Sequence, residues 1–83
     1  MELSDVQDRI ERFIRERFAV SDGDPHFDRT IDLFESGYVD SVGVVELLAF
    51  LAEEFGVEVP ENLLLSEDFT NVDGIARIVE QLR

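Results

Sequence analysis

Apolar residues recur along this chain at three- and four-residue steps and almost nowhere alternate with polar ones. That spacing belongs to helices that bury one face, and it leaves little from which to build a sheet. The first such stretch runs from about Ser4 to Phe18 and aligns Leu3, Val6, Ile10, Phe13, Ile14 and Phe18 on one side. Ser4 followed by Gln7 has the form of a capping box, in which the serine covers a free backbone N–H of the first turn. The second stretch runs from about Ser41 to Phe55 and stops at Gly56, a residue suited to the left-handed end of a helix. The third begins after Asn71, a good N-cap, and carries Val72, Ile75, Ile78, Val79 and Leu82 at helical spacing. Gly74 inside it is expected to weaken that helix by up to about 1 kcal/mol relative to alanine. Pro60 is placed to open a short further helix through Leu64. The expected fold is all-α: a small bundle of three main helices plus one short helix, with a long first loop, forming a single domain over residues 1–83.

That loop spans residues 19–40. Ser21-Asp22-Gly23-Asp24-Pro25 is turn chemistry, and Thr30 to Glu35 is expected to make a short turn of helix with Leu33 and Phe34 as anchors into the core. Gly37 supplies a backbone bend before Asp40. A connection this long in so small a bundle is usually functional or well packed.

Size and charge narrow the function. A chain of 83 residues buries a modest core and has little material for a deep catalytic cleft. It has no cysteine, which rules out disulfides and thiolate metal sites. Its apolar runs fall far short of the roughly 20 residues that span a bilayer. Nothing resembles an export leader, so the cytoplasm is the default setting. The formal net charge is −13, and every basic residue is an arginine. Five of the seven arginines, Arg9, Arg12, Arg15, Arg17 and Arg29, lie in the first thirty positions, whereas Glu35 to Asp68 holds nine acids and no base. Such a field repels nucleic acid and anionic membrane and attracts basic protein surfaces.

The second helix carries the chemistry. Projected at about 100° per residue, Val44, Leu47, Leu48, Leu51 and Phe55 form a core stripe. Beside it lie Val45, Ala49, Val42, Glu53 and Glu46, a mixture of small apolar and acidic residues that suits a transient protein contact. The plainer alternative is that Val42 and Val45 pack against neighbouring loops. Phe50 falls opposite the core stripe, either under the first loop or open to a partner. Ser41 stands at the head of this helix, where a serine most often serves as an N-cap. As a nucleophile in its own right it would need a positioned base. The chain offers no lysine and one histidine, His26, which follows a turn in the first loop. A hydrolase is therefore a poor fit, whereas modification by an enzyme that brings its own base remains open. Asp40 beside Ser41 would repel a phosphate and makes better sense as a handle for a basic group on another enzyme. Asp22, Asp24 and Asp28 lack the spacing of a calcium loop, and no metal is expected.

The run Leu33-Phe34-Glu35-Ser36-Gly37-Tyr38-Val39-Asp40-Ser41-Val42, with Val45-Glu46-Leu47 and Glu53-Glu54-Phe55-Gly56 after it, resembles the acyl carrier and peptidyl carrier protein family. Asp40 and Ser41 match that family's Asp-Ser-Leu signature, and Val42 stands in for the leucine. Val59-Pro60-Glu61, Phe69, Val72 and Ile75 extend the resemblance over almost the whole chain. The resemblance implies that Ser41 receives 4′-phosphopantetheine from coenzyme A through a phosphopantetheinyl transferase using Mg²⁺. The arm would then hold an acyl or aminoacyl group as a thioester for loading enzymes and downstream synthases. It implies partner-facing roles for Asp40, Val42, Val45, Glu46, Ala49 and Glu53, no catalysis by the carrier itself, and a monomer. Asp40-Ser41-Val42-Gly43 departs from the fatty-acid type and is more similar to stand-alone aminoacyl and D-alanyl carriers. The alternative is an acidic helical adaptor that binds a basic protein and is never modified.

Overall fold

The computed structural model describes residues 2–83, and among them it contains helices and turns and no strand. Four α-helices follow one another: α1 (Leu3–Arg17), α2 (Ser41–Phe55), α3 (Glu61–Leu64) and α4 (Val72–Leu82), with a 3₁₀ turn at Glu67–Thr70 between the last two. This is the expected all-α bundle of three main helices and one short one.

The core is built where the apolar stripes meet. Val6, Ile10 and Ile14 of α1, Leu47 and Leu51 of α2, and Val72, Ile75, Ile78 and Val79 of α4 are buried together, and no polar or charged side chain is buried among the described residues. α4 packs closely on both α1 and the 3₁₀ turn. Gly74 makes the second contact possible: a Cβ there would stand 1.9 Å from the Asp68 carbonyl oxygen. The glycine that helix propensity marks as a weakness is thus a point of close backbone approach, and alanine does not fit.

α1 and α2 meet along an antiparallel seam that advances four residues at a time in opposite directions. Arg9 pairs with Glu54, Phe13 stacks on Phe50, and Arg17 pairs with Glu46. The two rings lie 4.2 Å apart at 11°, and Phe55 meets Phe50 edge-on at 5.9 Å. Phe50 is therefore half-buried against α1 and not under the first loop.

The first turn of α1 differs from the sequence expectation. The N-cap position is Glu2, without a side-chain cap, and Ser4 lies within the helix. Gln7 forms no capping box. It donates to Asp73 of α4 (3.2 Å) and accepts from Arg29 (3.4 Å), so tertiary partners take the side chain that a local box would have used. α1 ends without a glycine, at Phe18, and Ala19 takes a left-handed φ of 55°.

The long connection is well packed. Leu33 is fully buried, and Phe34 stacks on Phe69 at 6.2 Å. No helix forms at Thr30–Glu35. The chain instead makes a single turn that starts at Asp32, whose carboxylate accepts the N–H groups of Phe34 and Glu35, both at 2.9 Å, as an N-cap does, and whose carbonyl accepts the Ser36 N–H at 3.1 Å. The loop is tied to the bundle by Leu33 N–H donating to Thr70 O (2.7 Å) and Asp73 N–H donating to Arg29 O (3.0 Å). The Arg29 guanidinium grips α1 through Asp8 and Glu11, each at 2.6 Å. The bond from Arg29, supported by Arg15, holds the Glu11 carboxyl below its ordinary range. Nearby, Phe27 meets Tyr38 edge-on, and the Arg15 guanidinium lies over the Phe27 ring at 4.6 Å.

Candidate functional site

The site is the first turn of α2, and four local features fix it. Gly37 turns the chain with a φ of 86°. Val39 is buried, and its N–H donates to Leu33 O (3.0 Å), which sets the direction of entry. Asp40 then caps the helix: its backbone is extended and its carboxylate accepts the Gly43 N–H at 2.8 Å. Gly43 lets the first turn lie flush on α1 and the loop, since a Cβ there would stand 2.7 Å from the Phe18 ring and 2.9 Å from Val39.

Ser41 is consequently the first residue of the helix and not its cap. Asp40, one position earlier and extended in its backbone, takes that task. Ser41 is exposed, and its hydroxyl enters no hydrogen bond among the described residues. The N–H groups of Gly43 and Val44 are taken by the Asp40 side chain and carbonyl, while those of Ser41 and Val42 lie before the helical ladder begins. The hydroxyl therefore stands beside the positive end of the helix dipole on a rigid, well-packed turn.

The residues assigned to a partner face divide into two groups. Val42 and Val45 are 67% and 66% exposed and do not pack against loops. Ala49 and Glu53 are exposed with them. Asp40 is exposed, but its carboxylate is occupied by the cap, and Glu46 is half-buried under Arg17. The sequence reading omits Leu65, which is 77% exposed just beyond α3. Its signal is present: Leu63-Leu64-Leu65 follows the start of a helix too short to bury all three. Leu65 borders an open apolar recess of about 310 Å³, lined also by Phe34, Val44, Leu64 and Phe69.

The loop acids serve turns. Asp24 accepts the His26 N–H and the Tyr38 hydroxyl, both at 2.8 Å, and these bonds hold its carboxyl below the ordinary value. Asp28 is lowered in the same way by the hydroxyl and N–H of Thr30. Among the described residues no group of three or more potential ligands is placed to hold a metal ion, and no helix is long and apolar enough to cross a membrane.

A family model described as the phosphopantetheine attachment site matches residues 8–79. D-alanyl carrier proteins of Streptococcus pyogenes serotype M1, serotype M5 (strain Manfredo) and serotype M49 (strain NZ131) are each 38% identical to this chain over 52 residues. The match covers 63% of this chain and 66% of each relative, just under two thirds of their length. The chain belongs to the phosphopantetheine-binding carrier proteins. It is a carrier whose prosthetic group is covalently attached 4′-phosphopantetheine, and carriers of this family work with enzymes that modify and load them. An exposed hydroxyl without internal partners, held at the start of a capped helix, fits the attachment of such a group.

Proposed function

We propose that Ser41 is the attachment residue, and that the chain delivers an aminoacyl or short acyl cargo to partner enzymes across the exposed side of α2. The observation that carries this reading is the state of Ser41: exposed, free of internal hydrogen bonds, and spared from capping by Asp40. When attached, the arm supplies a terminal thiol on which cargo is held as a thioester. The residues of the chain do the rest. The Ser41 Oγ forms the new bond to phosphorus as the pyrophosphate bond of coenzyme A breaks, adenosine 3′,5′-bisphosphate leaves, and a base on the transferase takes the hydroxyl proton. The free N–H end of α2 favours the resulting phosphodiester by about 0.3–1 kcal/mol at the surface. The Asp40 carboxylate is held on the Gly43 N–H at 2.8 Å and keeps its charge beside the arm, where it suits a basic group on the transferase.

Recognition falls to Val42, Val45, Ala49 and Glu53, with Leu65 as an apolar contact from outside α2 and Glu46 at the edge. Apolar residues rimmed by acids suit brief docking of a basic enzyme surface. An aminoacyl cargo is favoured by the D-alanyl carriers among the relatives. Catalysis on the thioester falls to the partners.

Intact mass spectrometry after incubation with coenzyme A, Mg²⁺ and a broad-specificity phosphopantetheinyl transferase tests the proposal. Wild type gains one phosphopantetheinyl group and Ser41→Ala gains none. An unchanged wild-type mass would leave an unmodified acidic adaptor, and an arm on the Ser41→Ala protein would place the attachment elsewhere.

A further inference from the structure

The seam between α1 and α2 bears on which acids of α2 a partner can use. Three glutamates lie in this part of the helix. Glu54 is held by Arg9 and Glu46 by Arg17, whereas Glu53 is exposed and enters no ion pair among the described residues. Arg17 does more than complement the C-terminal end of α1. Arg15, in the same last turn, folds back onto its own helix and the loop, bonding Glu11 (2.9 Å) and the Ser21 carbonyl (2.8 Å). Arg17 reaches outward across the seam to a carboxylate one helical turn beyond Val42, on the edge of the exposed face.

We propose that Arg17 is a specificity-determining residue that competes with partner enzymes for Glu46. The proposal rests on the carrier reading above. A basic group approaching Glu46 must first displace the Arg17 guanidinium, so a partner that offers only a cation there gains less than it would at Glu53. A partner that also presents an acid to the released Arg17 recovers the loss. The face thereby selects for a mixed-charge docking surface over a purely basic one. Side-chain exposures of 53% for Arg17 and 33% for Glu46 leave both groups within reach of such a surface.

The test is the steady-state kinetics of arm transfer by a broad-specificity transferase with coenzyme A and Mg²⁺ at low salt. The proteins are wild type, Arg17→Ala, Arg12→Ala, Glu46→Gln and the Arg17→Ala/Glu46→Gln double variant. Arg12 is exposed on the same helix, borders the Arg9–Glu54 end of the seam and enters no ion pair among the described residues, so its removal supplies the same change in net charge without freeing Glu46. An exposed pair is weak, so Arg17→Ala should raise kcat/KM by about two- to fivefold over Arg12→Ala, through KM. The gain should vanish when Glu46 is glutamine. Equal rates for the two arginine variants, or a gain that persists without Glu46, would overturn the competition. Arg17→Gln repeats the measurement with the side-chain bulk kept, and unchanged helical circular dichroism shows that each variant is folded. A wild-type chain that accepts no arm sinks the carrier reading and this inference with it.

Discussion

α2 and α4 begin alike and end as different kinds of helix. Each is capped by a side chain that accepts the N–H of a glycine three residues on, Asp40 to Gly43 at 2.8 Å and Asn71 to Gly74 at 2.7 Å. α4 then buries six of its eleven residues. α2 buries three of fifteen, although ten of the fifteen are apolar. A helix that is apolar most of the way round ordinarily lies inside a protein. α2 does not, and its surplus surfaces as Val42 and Val45, beside Ser41. α4 is a structural wall of the bundle, and on the function proposed above α2 is the element that other molecules read.

The two glycines offer the sharpest way to break that comparison, because one substitution at the same helical position should give a large loss in one helix and almost none in the other. In Gly74→Ala the new Cβ would sit 1.9 Å from a backbone oxygen, and neither helix nor 3₁₀ turn can yield without opening the core. We expect a loss of about 3 kcal/mol, overpacking outweighing the roughly 1 kcal/mol that alanine gains in propensity. In Gly43→Ala the nearest atoms are side chains, led by the half-buried Phe18 ring, which can move. There the clash and the propensity gain nearly offset each other, for a net change of about 1 kcal/mol or less. Urea unfolding of both variants measures the difference, and equal losses would mean that α2 is set as rigidly as α4.

Much of this was legible in the sequence. The stripes Val6-Ile10-Ile14 and Val72-Ile75-Val79 are periodic because each faces one core, so periodicity located α1 and α4 almost to the residue. The face of Val42, Val45, Ala49 and Glu53 could be drawn on a wheel for the same reason. What could not be read were effects arising between distant segments. Gln7 is taken by Asp73, the expected turn starts only at Asp32, and Phe50 is settled by Phe13 across the seam. Gly74 was misjudged because propensity describes an isolated helix, whereas its neighbour is the Asp68 carbonyl. Ser41 reads as the cap from its place at the head of the helix, and only the backbone shows that Asp40, one position earlier, holds that role.

The shared capping device gives a smaller effect that separates structure from recognition at the site. Asp40→Ala removes the acceptor of the Gly43 N–H and should cost about 1 kcal/mol, within the usual 0.5–2. Asp40→Asn keeps a competent cap and removes the charge, so its stability should stay within about 0.5 kcal/mol of wild type. The rate of arm transfer to the asparagine variant then reports the charge alone. If Asp40→Ala were as stable as wild type, the cap would contribute nothing and the first turn would be held by Gly43 packing.

The smallest expected change in stability belongs to an exposed valine of the proposed face. Val45 is two-thirds exposed, and serine has nearly the same helix propensity, so Val45→Ser should shift unfolding by no more than about 0.5 kcal/mol. The same side chain is expected to be covered when an enzyme docks. Losing its apolar surface there should cost about 1 kcal/mol of association, or roughly a fivefold fall in kcat/KM for arm transfer. The two measurements together decide what α2 is for. A drop in stability with unchanged kinetics would make Val45 one more core residue and return α2 to the company of α4. Unchanged stability with slowed transfer would show a helix whose apolar surplus is kept for contacts outside the chain.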